Sequence, residues 1–204
     1  MKAYYDQRAP EYDDWYHGTG MHASIERPGW HEEVARLTRF VGGLSPGRTL
    51  DVACGTGFLT RHLHGEVVAL DHSPSMLRVA AERAPLAELR QADALALPFE
   101  DESFDRVFTA HFYGHLEPPE RAKFLAEARR VAAELVVIDA ALHEGVDAEQ
   151  WQPRKLLDGS RHVVYKRYFS PAVLAEELGG GTTLFSGSWF VAVSARNDSA
   201  LSGG

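Results

Sequence analysis

Short apolar runs alternate with amphipathic segments through the middle of this chain of 204 residues. Strand-like segments are predicted at residues 49–53, 66–71, 88–92, 104–110 and 134–140. Apolar residues three and four apart predict helices between these strands, at residues 58–63, 74–83 and 119–131. Strands that alternate with helices favour an α/β fold, in which a doubly wound parallel sheet has helices on both faces.

The two ends of the chain depart from this alternation. Residues 30–41 have the apolar spacing of a helix. Near the C-terminus, "SPAVLAEELGG" predicts a helix, and the strands "TTLFS" and "WFVAVSAR" follow with only "GS" between them, so they are expected to pair as an antiparallel hairpin. We therefore interpret residues 1–196 as one domain, made of a helical segment at 1–45, a core at 49–140, an insertion of weak periodicity at 141–169 and a C-terminal helix and hairpin at 170–196, with a disordered tail at 197–204.

Charge and composition narrow the classes of function. The net charge of −8 argues against broad nucleic-acid binding, which needs clustered lysine and arginine. Cys54 is the only cysteine, so a disulfide within the chain is excluded and a reducing compartment is expected. No apolar run approaches ~18 residues, and the N-terminus lacks the apolar centre of a signal peptide, so no membrane span and a cytoplasmic location are expected.

The most specific signal is the stretch "TLDVACGTGFLTRH", in which a predicted strand ends in a loop of small residues. Gly55 and Gly57 allow the backbone to approach a ligand closely and to adopt positive φ. A helix beginning near residue 58 would direct free N–H groups toward a carboxylate or phosphate. The dinucleotide motif G-x-G-x-x-G would require glycine where this chain has Thr60, which weakens the case for a nicotinamide cofactor. Asp51 would repel a pyrophosphate but could hold an amino group.

Three motifs, in order, carry a resemblance to a known family. "LDVACGTGFLT" resembles the first motif of the class I S-adenosylmethionine-dependent methyltransferases, usually hDhGCGTG with h apolar, although Ala53 stands where glycine is common. "LDHSPSMLRVA" (Leu70–Ala80), in which Asp71 ends a predicted strand, is similar to the family's acid followed by a Ser-Pro-x-Met-Leu helix. "QADALALPFEDESFDRVFTA" resembles the family's next motif. The acid at the end of the second strand is shared with NAD sites, so Asp71 alone does not discriminate between the two cofactors.

The resemblance implies a Rossmann-like sheet of seven strands, mostly parallel, with the last strand inserted antiparallel. It also implies S-adenosylmethionine as the cofactor and S-adenosylhomocysteine as the product. Asp71 would accept the ribose hydroxyls, Asp93 would bond the adenine amino group, and Ala94 would offer its backbone N–H to the ring. The other residues implied to contact the cofactor are Tyr5, Tyr12, Asp51, Ala53, Gly55, Thr56, Gly57, His72, Met76 and Ala110.

The acceptor side is less specific in the sequence. His111 follows the fourth predicted strand and is a candidate general base, because histidine titrates near neutrality, although a role in shaping the pocket is the alternative. The segment "YYDQRAPEYDDWY" resembles the family's lid helix, so its aromatic side chains could cover the cofactor or simply pack on the sheet. "HVVYKRYF" is expected to be partly extended, and "YKRYF" could clamp an acidic substrate or form a solvated face. The candidate acceptor contacts are His111, Tyr113, His115, Tyr165 and Tyr168.

The sequence thus predicts methyl transfer from S-adenosylmethionine to oxygen, nitrogen or carbon of a small molecule. Carboxylates with the spacing of a metal-dependent methyltransferase are not evident, and no metal is expected. Three alternatives stay open: a methyltransferase acting on RNA or protein, a domain that binds the cofactor without catalysis, and a nicotinamide-dependent oxidoreductase. The acceptor itself is not predicted, because the motifs describe only the shared cofactor.

Overall fold

The computed structural model describes residues 2–197, and its central element is a seven-stranded sheet. Its strands are β1 (Gly47–Val52), β2 (Gly65–Asp71), β3 (Glu88–Gln91), β4 (Phe104–Ala110), β5 (Ala132–Ala140), β8 (Thr182–Ser186) and β9 (Phe190–Arg196). A separate two-stranded ribbon consists of β6 (Glu149–Lys155) and β7 (Arg161–Arg167). The helices are α1 (Lys2–Arg8), α2 (Asp14–His17), α3 (Trp30–Gly42), α4 (Pro74–Arg83), α5 (Pro118–Val131) and α6 (Pro171–Glu177).

The order of strands in the sheet is β3-β2-β1-β4-β5-β9-β8. The strands β1 to β5 pair in parallel, whereas β9 is antiparallel to both β5 and β8. The predicted α/β class, the seven-stranded sheet and the antiparallel C-terminal hairpin are therefore confirmed. The strand order reverses at β1 and β4, so their carboxyl ends border the crevice in which open α/β sheets bind ligands.

Apolar side chains cover both faces of this sheet, as alternation along a buried strand requires. In β5, Val137 packs in the cluster that includes Phe124 of α5. Its neighbours Val136 and Ile138 pack in the opposite cluster, which includes Leu37 of α3. Within residues 2–197, none of the helices combines the length and the apolarity needed to cross a membrane.

The predicted helix at residues 58–63 is wrong. Only a single 3-10 turn, Thr60–His62, lies between the glycine loop and β2. The chain is already extended at Leu63, with φ −72° and ψ 145°, and β2 begins at Gly65. Too few residues remain between Gly57 and β2 for both a helix and the turn that returns the chain to the sheet. This single turn therefore presents fewer free backbone N–H groups to a ligand than the predicted helix would.

The insertion predicted at residues 141–169 contains the β6–β7 ribbon, so the expected extended conformation of "HVVYKRYF" is present over β7. The ribbon packs against the N-terminal segment. The Tyr4 and His162 rings lie 5.0 Å apart between centroids, and the Leu157 N–H donates to the Glu11 carboxylate at 3.0 Å. The ribbon and α1 therefore form one side of the same crevice. Of the predicted disordered tail at 197–204, residues 198–204 lie outside the described residues.

Candidate active site

The glycine loop leaves the carboxyl end of β1 with three residues in the left-handed region of φ. These are Ala53 at φ 59°, Gly55 at 55° and Gly57 at 74°. A Cβ on Gly57 would lie 3.3 Å from both Cα and Cβ of Ala80 in α4. Glycine is needed there both for the conformation and for close packing of the loop on α4.

Asp71, at the end of β2, holds this loop by its carboxylate. Its Oδ2 accepts from the Gly55 N–H at 3.0 Å, and its Oδ1 accepts from the Ser73 N–H at 2.8 Å. Burial raises the pKa of this carboxyl above its usual range, and these two backbone hydrogen bonds oppose that shift. Each oxygen can accept a further hydrogen bond from a ligand hydroxyl.

Asp51 lies deeper, beneath the loop, and is fully enclosed. Its Oδ2 accepts a hydrogen bond of 2.6 Å from the Thr60 hydroxyl. Burial raises the pKa of Asp51 to about 7, against the effect of that hydrogen bond. Thr60 occupies the position of the third glycine of a dinucleotide loop, where glycine would allow a helix to pack closely on the strand. In this protein the residue has a side chain, and its hydroxyl forms a hydrogen bond with Asp51.

Asp93 and Ala94 follow the end of β3, next to Asp71 in the sheet. The backbone N–H of Ala92 donates to the Asp71 carbonyl at 3.3 Å, which continues the pairing of the two strands. The Asp93 side chain is exposed and accepts from the Leu95 N–H at 2.9 Å, while Ala94 is buried. The structure thus places Asp71 and Asp93 at the ends of adjacent strands.

The N-terminal segment covers the loop as a lid. Asp13 accepts from the Thr56 hydroxyl at 2.6 Å and forms an ion pair with Arg83. The Tyr12 ring comes within 3.7 Å of the position that a Cβ on Gly55 would occupy. Tyr12 therefore lies directly over the glycine loop, as the lid prediction requires.

Most of the predicted cofactor residues surround two narrow spaces beside Tyr12. One, of about 50 Å³, is lined by Tyr5, Tyr12, Ala53, Gly55, Asp71, His72, Met76, Phe112 and His115. The other, of about 20 Å³, includes Tyr16, Asp51, Thr56 and Ala110 in its lining. We call these two spaces together the cofactor cleft. Phe112 and Tyr16 also line these spaces but were not predicted. The sequence signals that could have identified them are the position of Phe112 next to His111 and the position of Tyr16 among the aromatic residues of the lid segment.

A larger cavity of about 510 Å³ adjoins the cofactor cleft, and we call it the acceptor cavity. Tyr5, Tyr12 and His115 line both the cleft and the cavity. Further aromatic side chains of its wall come from separate segments and are Trp15, Trp30, Tyr168 and Trp189.

His111 lines this cavity at the end of β4. Its φ of 56° is unusual for a residue other than glycine, and the imidazole lies among Trp15, Tyr16 and Phe190. Neither ring nitrogen has a hydrogen-bond partner among the described residues. Burial lowers the pKa of His111 to about 3, so the ring is neutral at pH 7.

His115 and Tyr168 line the acceptor cavity, as predicted for acceptor contacts, whereas Tyr113 and Tyr165 do not. The Tyr113 ring is buried against Phe124 and Phe169, on the core side of the turn. Tyr165 lies on the opposite face of β7 from Lys166, because successive side chains of a strand alternate. Only its backbone carbonyl faces the site, where it accepts from His115 Nδ1 at 2.7 Å.

A buried ion pair fixes the ribbon to the sheet beside the cavity. Lys166 Nζ lies 2.6 Å from Asp139 Oδ1, and Asp139 Oδ2 accepts from the Gly114 N–H at 2.7 Å. The positive charge of Lys166 and its hydrogen bond hold the pKa of Asp139 below its usual range despite burial. Arg8, Arg27 and Arg154 also line the cavity, and none of these three was among the predicted acceptor contacts.

Comparison with known proteins agrees with this geometry. A family model described as a methyltransferase domain matches residues 49–134. The demethylmenaquinone methyltransferase of Renibacterium salmoninarum is 37% identical over 135 residues, which are 64% of this chain and 53% of that protein. The demethylmenaquinone methyltransferase of Thermus thermophilus is 40% identical over 107 residues, 47% of this chain and 48% of that protein. The chain thus spans about half the length of the curated relatives it matches.

A solved structure of a DhpI–SAH complex is similar over nearly the whole chain. It superposes with a TM-score of 0.74 at 29% identity and covers 95% of this chain and 93% of that one. A structure of the [4+2]-cyclase SpnF, at 18% identity and a TM-score of 0.68, shares the fold. In its sheet topology, its glycine loop and these similarities the chain resembles the class I S-adenosylmethionine-dependent methyltransferases.

Proposed function

We propose that this protein binds S-adenosylmethionine in the cofactor cleft and transfers its methyl group to a small molecule held in the acceptor cavity. The observation that carries the proposal is that the two spaces adjoin, with Tyr5, Tyr12 and His115 in the walls of both. A volume of about 510 Å³ lies within the range of small-molecule pockets. A concave pocket of this size favours a small acceptor over RNA or protein.

The chemistry of the cleft fits this cofactor. Asp71 offers carboxylate lone pairs to ribose hydroxyls, and the buried Asp51 suits an amino group better than a pyrophosphate. The glycine loop provides close backbone approach at Gly55 and Gly57. Structures of DhpI with SAH and with SAM are the relatives whose ligands support this assignment.

The lid must move to admit the cofactor. The main part of the cleft measures about 50 Å³, far below the roughly 300–1,000 Å³ of pockets that bind small molecules. Opening requires the contacts of Asp13 with Thr56 and Arg83 to break and Tyr12 to leave the surface of the loop. We infer that the lid closes again over the bound cofactor and excludes water.

The bound cofactor would supply an electrophilic methyl group on a positively charged sulfur. The protein then has to align the acceptor with this methyl group and keep water out. Orientation of this kind can lower a barrier by roughly 7–11 kcal/mol. The rings of Tyr5 and Tyr12, which border both spaces, can also attract a cationic centre through their faces.

A dedicated base is not part of the proposal. With a pKa of about 3, His111 is a weak proton acceptor, and its contacts with Trp15 and Phe190 support the alternative that it shapes the wall. His115 donates from Nδ1 to a backbone carbonyl, and burial lowers its pKa to about 3 as well. The site therefore favours an acceptor whose nucleophilic atom does not need to lose a proton at neutral pH, because it is already ionised or has a free lone pair.

Titration calorimetry with S-adenosylhomocysteine, S-adenosylmethionine and NAD tests cofactor binding. We expect the adenosyl ligands to bind, and Asp71→Asn to weaken them about 10- to 150-fold, because a hydrogen bond to a charged group contributes about 1.5–3 kcal/mol. Asp105→Asn is the matched control. Asp105 also accepts a hydrogen bond from a backbone N–H, that of Arg48 at 2.7 Å. It is exposed, however, and lies at the opposite end of the sheet from the cofactor cleft.

Binding of NAD in place of the adenosyl ligands, or loss of affinity in both variants, would refute the cofactor assignment. Formation of S-adenosylhomocysteine is then followed with a panel of small acids, phenols and amines, beside an RNA oligonucleotide and a peptide. Turnover with the RNA or the peptide alone would favour the macromolecular alternative. Binding without turnover of any acceptor would favour a non-catalytic domain, and the cyclase SpnF shows that this fold hosts other reactions.

A further inference from the structure

Three arginines from separate segments line the acceptor cavity without a carboxylate partner. Arg8 ends α1, Arg27 precedes α3, and Arg154 lies in β6. The ion pairs formed within residues 2–197 include none of them. Lys166, the other cation of the wall, is neutralised by Asp139.

Each of the three guanidinium groups is positioned by neutral groups. Arg8 donates to the Tyr4 hydroxyl and lies 5.0 Å from the centroid of the Tyr12 ring. Arg27 donates to the Trp15 carbonyl at 3.2 Å and lies 3.7 Å from the centroid of the Trp30 ring.

Arg154 is held in the same manner, by the side-chain amide of Gln152. A guanidinium has five N–H donors, so each of the three arginines keeps several that these contacts do not use.

The three positive charges act on a common region. His22 lines the same cavity, and its pKa is lowered to about 4 by burial first and then by the charges of Arg8, Arg27 and Arg154, in that order. Among the described residues that line the cavity, Glu26 is the one acidic side chain. The chain as a whole has a net charge of −8, so this concentration of unpaired cations does not follow from composition.

We propose that the acceptor carries an oxyanion, either a carboxylate or a phosphoryl group, and that Arg8, Arg27 and Arg154 bind it while the tryptophans of the wall contact its organic part. This inference rests on the function proposed above and specifies its substrate class. The planar fork of arginine matches both kinds of oxyanion in a bidentate manner. Three like charges that face one cavity repel each other, and a bound anion relieves this repulsion.

The experiment measures binding of three probes of similar shape to protein saturated with S-adenosylhomocysteine. Benzoate and phenylphosphonate carry the two oxyanions, and benzamide is the neutral counterpart. We expect one or both anions to bind and benzamide to bind at least about tenfold more weakly. The comparison of benzoate with phenylphosphonate identifies which oxyanion the site prefers.

Variants then locate the site. Arg154→Gln and Arg27→Gln should each weaken the anionic probe about 10- to 150-fold, as expected for loss of a charge-assisted hydrogen bond, and Arg154→Lys should recover part of the loss. Arg161→Gln is the control, because Arg161 lies on the same ribbon but is exposed outside the cavity. Both Arg154 and Arg27 variants should keep the wild-type affinity for S-adenosylhomocysteine, which verifies their folding.

The outcomes separate this inference from the function on which it rests. If S-adenosylhomocysteine binds but benzamide binds as well as the anions, or Arg161→Gln weakens the anions as much as Arg154→Gln does, the oxyanion site is refuted and the methyltransferase proposal stands. If S-adenosylhomocysteine does not bind, the proposed function itself fails. Binding of the anions that neither Arg27→Gln nor Arg154→Gln weakens would also overturn the inference.

Discussion

Ala53→Gly tests whether the glycine loop stores backbone strain. Ala53 has a φ of 59°, in the left-handed region, at the position where the family commonly has glycine. Its side chain is only partly buried and borders the cofactor cleft, so removal of one methyl group sacrifices little packing. The neighbouring backbone is fixed by the hydrogen bond from the Cys54 N–H to the Leu70 carbonyl, at 2.9 Å.

The expected magnitude follows from two opposing contributions. The left-handed conformation costs an alanine roughly 1–2 kcal/mol. Replacement by glycine removes this cost, but glycine also enlarges the conformational freedom of the unfolded chain, which offsets about 0.4–1 kcal/mol of the stability gained. We expect Ala53→Gly to raise the free energy of unfolding by about 0.5–1 kcal/mol. The same substitution at Ala81, exposed in the helix α4, should lower it by about 1 kcal/mol.

Urea denaturation measures both variants, because a change in midpoint at constant m-value reports stability directly. The two substitutions are chemically identical, so the opposite sign of their effects isolates the backbone conformation. A decrease in stability for Ala53→Gly as large as that for Ala81→Gly would refute the argument that the loop is strained. Titration with S-adenosylhomocysteine on the same samples shows whether the relaxed loop still binds the cofactor.

Two further predictions concern buried acids. Asp51 has a pKa of about 7 in the folded protein, above its unfolded value near 4, so the folded state binds the proton more tightly. The free energy of unfolding should therefore decrease from pH 4 to pH 7, by at most about 4 kcal/mol. Asp51→Asn should remove this pH dependence from denaturation curves measured across that range. Lys166→Met should destabilise the protein by about 3–5 kcal/mol because it leaves the Asp139 carboxylate buried and unpaired. Adding Asp139→Asn to this variant should recover much of the lost stability. Equal stability of the single and the double variant would contradict a direct pairing of Lys166 with Asp139.

The sequence predicted the cofactor half of the molecule well because its signals are local. Strands β2 and β5 contain continuous apolar runs, and Ser73 and Pro74 mark the start of α4, where the Ser73 hydroxyl accepts from the Met76 N–H at 3.2 Å. The exception is the helix expected at residues 58–63. Apolar spacing there suggested a helix, but the distance along the chain from Gly57 to β2 allows only one 3-10 turn.

The acceptor cavity could not be predicted in the same way, because its wall combines residues that are distant in the chain. Arg8, Arg27 and Arg154 have no spacing that relates them, and only the fold brings them to one cavity. The strand β7 illustrates a second difficulty. The sequence identified "YKRYF" as a possible clamp, but the register of the ribbon determines that Lys166 and Tyr168, rather than Tyr165, face the cavity.

The lid connects the two halves of the site. The helix α1 contributes Tyr5 to both the cofactor cleft and the acceptor cavity, and Arg8 to the acceptor cavity alone. Opening this segment to admit the cofactor therefore also dismantles part of the proposed oxyanion site. Because closure over the cofactor restores Arg8 to the cavity wall, binding of the cofactor before the acceptor is the order that the geometry favours. An acceptor bound first would hold the lid closed over a cleft that is too small for the cofactor to enter.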